Sequence, residues 1–135
     1  MLLTHPAKGT LALNGQTVIF SPSNTTYQLY LESDNGPVQA SGRPVEVVVS
    51  GAARKVYTEP SGGLFVSPIV GTPKILQGRV KDLNDTWLTL NCGVIVNVKL
   101  PTEPGGIELA RGAIEMGSLV NVVLYPGASC EVKSA

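Results

Sequence analysis

The chain has 135 residues, of which 43% are hydrophobic and 15% charged, and its 10 basic and 10 acidic side chains balance to zero. That length suffices for one ordinary domain or two very small ones, and the apolar content for a buried core. The balance holds in each half, with five basic and four acidic groups in residues 1–74 and five and six in residues 75–135, so no whole-chain field attracts nucleic acid or an anionic membrane.

The opening MLLTHPAKGT lacks the basic start and apolar run of a secretory signal, and no stretch approaches the roughly 20 apolar residues of a membrane span, so a cytoplasmic protein without membrane contact is expected. Residues 10–20 then read TLALNGQTVIF. Asn14-Gly15 between two alternating runs predicts a two-residue hairpin, because both positions tolerate positive φ. YQLYLE places Tyr27, Leu29 and Leu31 on one face, SDNG offers Asp34, Asn35 and Gly36 for a reversal, and VEVVV points Val45, Val47 and Val49 one way. KVYTE and LFVSP around PSGG predict a further hairpin, with Pro60, Pro68 and Pro73 confining these strands to edges or ends.

From Ile75 the pattern predicts a strand through Leu76, Gly78 and Val80, a turn at DLND, and a tight pair, WLTLNC and VIVNVKL, around Gly93. Leu88, Leu90, Cys92, Val94, Val96, Val98 and Leu100 are the expected inward residues. TEPGGIELARGAIEM breaks the two-residue period, and Ile107, Ala110 and Ile114 share one face at helical spacing, which predicts a short helix despite Gly112. SLVNVVLY and SCEVK close the chain as two more strands.

GRPVEVVVSGA at 42–52 returns in near copy as GSLVNVVLYPGA at 117–128, with Val45, Val47 and Val49 falling on Val120, Val122 and Leu124; upstream, LYL at 29–31 can be laid on LTL at 88–90. The fold class expected is therefore all-β: two packed small antiparallel β-barrels, a repeated plan occupying residues 1–74 and 75–135, the second with one short helix. In residues 75–133, LQGRV, WLTLNCGVIVNV and GSLVNV, with three strands, a helix and two strands in that order, resemble the OB-fold. That resemblance implies a five-stranded Greek-key barrel, and many such barrels bind oligonucleotides or oligosaccharides on the face of strands two and three.

Chemistry-bearing residues are sparse. His5 is the one histidine and precedes Pro6 near the chain start, where a mobile surface residue is expected rather than a general base. Cys92 and Cys130 lie in strands without a local basic cluster to activate them and read as small buried apolar groups. Asp82 and Asp85 suit turn formation and lack the spacing of a calcium loop; no zinc pattern, phosphate loop or nucleophile elbow occurs, so no enzyme, no cofactor and no metal site is expected. With Leu88, Leu90, Val94, Val96 and Val98 inward, the residues facing out are Arg79, Lys81, Trp87, Thr89, Ile95, Asn97 and Lys99. Arg79, Lys81, Trp87 and Lys99 form a small basic patch with one aromatic, the candidate contact for weak single-stranded nucleic-acid binding. The reading placed first is a non-catalytic binding or assembly module: sparse charge leaves apolar residues such as Val48, Ile95 and Val123 on the outward parity, and a homo-oligomer or protein partner would cover them.

Overall fold

The structure, a computed structural model, describes residues 5–34, 36, 38–108 and 113–134. Alternating parity builds the first strands. β1 (Ala7–Asn14) and β2 (Thr17–Pro22) form the hairpin at Asn14-Gly15, with Asn14 opposite Thr17. β3 (Gln28–Ser33) packs Leu29 and Leu31 against Phe20 and Val18. All four are buried, each contributing about 1.5–3 kcal/mol of apolar transfer. VEVVV and KVYTE belong to one strand, β4 (Ser41–Thr58), whose 18 residues run without a break.

The short β5 (Phe65–Ser67) and β6 (Val70–Gly71) precede β7 (Ile75–Leu83), β8 (Trp87–Asn91) and β9 (Ile95–Lys99). After β10 (Ile107–Glu108) come β11 (Leu119–Leu124) and β12 (Ser129–Ser134). The whole is all-β, one mixed sheet in the order β1-β2-β3-β12-β4-β11-β7-β8-β9, with β5 beside β7, β6 beside β3 and β10 beside β4. Two further pairings, β1 with β4 and β4 with β9, make the order return on itself twice.

β4 stands in both returns. Its first part pairs with β1 (Val47 opposite Ala7) and with β12 (Val49 opposite Cys130). Its later part pairs with β11 (Val56 opposite Val122), while Ser50–Ala52 lie beside Asn97–Lys99 of β9. Hydrogen bonding thus crosses the 74/75 boundary at several strands, and the buried side chains, from Ala7 to Cys130, form one connected apolar cluster. Val94, Val96, Val98, Val120 and Val122 are all 5% exposed or less, on the inward parity read from the sequence.

Several expectations change. The sheet is mixed rather than antiparallel, because β12 runs parallel to β3 and β9 parallel to β4. PSGG does not close a hairpin between KVYTE and LFVSP: the late part of β4 already has β11 on one edge and β10 on the other, so β5 pairs with β7 instead. Ile107 and Glu108, placed on the expected helix, are extended and lie parallel to Val56 and Tyr57. Residues 109–112, including Ala110 and Gly112, lie outside the described residues, and no helix occurs among those described. Of the SDNG turn, Asn35 is likewise outside them. LYL and LTL take different places in the pairing, LYL in β3 beside β2 and β12, LTL in β8 between β7 and β9.

Candidate functional site at the strand seam

Where β4 passes from one set of partners to the other, it is flanked by β12 and β9, and these three strands floor an open basin of about 320 Å³. β4 contributes Val48, Ser50, Gly51 and Ala52. Small side chains at its centre leave the room. Val48, expected among the exposed apolar residues, is only 6% exposed, opposite Glu131 of β12.

Trp87 and Lys99 form one wall. They are direct partners across the β8–β9 hairpin, so the tight turn at Gly93 places both at the same end of that pair. Asp34, Ser129, Glu131 and Lys133 form the opposite rim. Asp34 is fixed twice: its backbone N–H donates to the Cys130 carbonyl at 2.9 Å, and its Oδ2 accepts the Ser129 hydroxyl at 2.8 Å. Lys133 Nζ lies 2.6 Å from Glu131 Oε1, so this cation and anion satisfy each other. Among the described residues, Lys99 has no carboxylate and Asp34 no cation within ion-pair distance. In the sequence Asp34 reads only as a turn residue and SCEVK only as a strand, because it takes the β12–β4 and β12–β3 pairings to bring Ser129, Glu131 and Lys133 beside Asp34.

The four residues read as a nucleic-acid contact are divided. Trp87 and Lys99 line the basin, whereas Arg79 sits opposite Asn91 at the far end of the hairpin and Nη1 donates to the Gly117 carbonyl. Lys81 is exposed at a register shift between Val80 and Asp82. Between the two pairs lie Thr89 and Asn97, assigned to the outward parity, yet both fully buried. His5 covers them. Asn97 Oδ1 accepts the His5 backbone N–H at 3.2 Å, Asn97 Nδ2 donates to the His5 carbonyl at 2.9 Å and to the Val49 carbonyl at 3.1 Å, and the Thr89 hydroxyl donates to Oδ1 at 3.0 Å.

His5, expected to be mobile, is therefore held by its backbone and by its ring, whose Nε2 lies 2.8 Å from Asp82 Oδ2. The His5 hydrogen bond and the Leu83 N–H lower the Asp82 pKa. In the DLND turn Asp82 Oδ1 accepts the Leu83 N–H, and Asn84, not picked out in the sequence, accepts the N–H groups of Thr86 and Trp87 through its Oδ1.

Cys92 and Cys130 are unpaired and buried. Burial pushes the Cys92 thiol up to about 12 and Cys130 to about 11, which suppresses the thiolate a nucleophile or metal ligand needs. Among the described residues, no three His, Cys, Asp or Glu side chains come together as a metal site, and no helix is long and apolar enough to cross a membrane. No protein-family model, curated protein or solved structure matches this chain.

Proposed function

We propose that the chain is a non-catalytic, cytoplasmic binding or assembly module built from two small five-stranded barrels that exchange their last strands. β1, β2, β3 and the first part of β4 are completed by β12; β7, β8, β9 and β11 are completed by the later part of β4. Support comes from the two returns in the pairing order. Corresponding residues also occupy corresponding places: Gly9 opposite Val45 and Ala7 opposite Val47 in one, Gly78 opposite Val120 and Leu76 opposite Val122 in the other. In this reading the second barrel keeps the OB-like strand order of β7, β8, β9 and β11, with its fifth strand drawn from the first half. The buried, unpaired thiols agree with a reducing compartment.

The observation that carries the assembly role is an open apolar surface. Leu64, Phe65, Ile69 and Val70 are 37–54% exposed within seven residues, and no charged residue occurs from Pro60 to Pro73. Such a concentration is normally covered by a partner, and an uncharged patch can meet a second copy of itself without opposing charges. Light scattering coupled to gel filtration should show an oligomer that Phe65→Ser combined with Ile69→Ser reduces to a monomer. A monomeric parent chain would remove the assembly role.

Single-stranded nucleic acid is the second reading, and the shared wall of Trp87 and Lys99 favours it, since an aromatic beside a cation can stack on a base and meet its phosphate. Quenching of Trp87 fluorescence by an oligonucleotide at low salt is its expected signature.

A further inference from the structure

The basin at the strand seam carries two charges of opposite sign that nothing in the described structure neutralises. Lys99 projects from β9 on one side; Asp34, oriented by Ser129, stands on the other. Between them the floor is Ser50, Gly51 and Ala52, and Trp87 flanks Lys99. Glu131 and Lys133 add nothing to the balance because they pair with each other.

This arrangement selects among ligand classes. An uncharged ligand filling the basin would take Lys99 and Asp34 partly out of water with no compensating charge. A simple anion is drawn to Lys99 but repelled by Asp34, and a simple cation the reverse. A molecule carrying both signs satisfies both sides, and a volume of about 320 Å³ holds only a small one. Resting on the binding half of the function proposed above, we infer that the seam basin binds a small zwitterion of the free amino acid or betaine class. Its carboxylate meets Lys99, its ammonium meets Asp34, and its aliphatic part lies against Trp87 and Val48. A quaternary ammonium would gain further from the indole face.

Trp87 is the only tryptophan, so its fluorescence reports on this basin alone. Titrating the full chain at neutral pH with the free amino acids and with glycine betaine should give a saturable change for at least one of them. Blocking either charge of that compound, as the N-acetyl derivative or the carboxamide, should weaken binding by about tenfold or more. Asp34→Asn and Lys99→Gln, both at exposed positions, should do the same while leaving the thermal transition in place. Equal binding of the N-acetyl derivative, or no response to any zwitterion, overturns the inference. A response to oligonucleotide with none to zwitterions would overturn it while leaving a binding module standing, whereas silence toward both would count against the binding role itself.

Discussion

The hairpins β2–β3 and β8–β9 share their pairing and differ in what covers them. In the first, Val18 faces Leu31 and Phe20 faces Leu29; in the second, Leu88 faces Val98 and Leu90 faces Val96, all inward and buried. On the outer side the order of polarity inverts. Ile19 and Tyr30, an apolar pair, stay half-exposed, while Thr89 and Asn97, a polar pair, are fully buried. The reason is the covering material. The β8–β9 pair is crossed by peptide backbone at His5, whose N–H and carbonyl need partners, and the Asn97 amide supplies a donor and an acceptor together. A polar outward residue therefore marked a buried contact here, and an apolar one marked an open surface.

The largest expected effect tests whether the inner sides of the two regions are equivalent. A Cβ at Gly78 would collide with the Asn91 carbonyl, and one at Gly9 with the Ser21 carbonyl, in each case backbone that cannot swing aside. Gly78→Ala and Gly9→Ala should each cost about 3 kcal/mol or more in urea unfolding; a near-neutral result at either would show that the two strands do not pack alike.

The outer sides should separate next. Asn97→Ala strands the Val49 carbonyl, both His5 backbone groups and the Thr89 hydroxyl, for a loss of about 2–3 kcal/mol by the same measurement. Tyr30→Ser, on the half-exposed counterpart, should cost less than about 1 kcal/mol. Equal losses would mean that the His5 segment does not protect Asn97 in solution.

The smallest effect concerns pH. Because the folded Asp82 pKa is lowered, first by the His5 hydrogen bond, its contribution is present above the ordinary carboxylate range, near pH 4, and is lost as pH falls through the depressed folded value. In Asp82→Asn and in His5→Ala, that part of the acid limb of the stability curve should flatten. An unchanged acid limb would place the stabilisation of His5 in its backbone bonds alone.

The inward parity of the Val-rich segments was legible because side chains alternate faithfully along a strand, and the Asn14-Gly15 and Gly93 turns because local chemistry decides them. The partnership of Trp87 with Lys99 follows from that second turn. What escaped was long-range. Nothing local in SCEVK says that it lies beside VEVVV, so the rim formed by Asp34, Ser129 and Glu131 had no signal in the sequence. Helical spacing of Ile107 and Ile114 misled in turn, since Ile107 is drawn into extended pairing by the free edge of β4 at Val56.

One strand, Ser41–Thr58, lends its first part to one set of neighbours and its later part to the other. Residues on each side of the 74/75 boundary then take pairing partners from the other side, and fraying on one side pulls at the spine of the other. The two regions share that strand and should therefore melt as a single thermodynamic unit, and the first part of β4 gains its second neighbour only once residues 129–134 have been made.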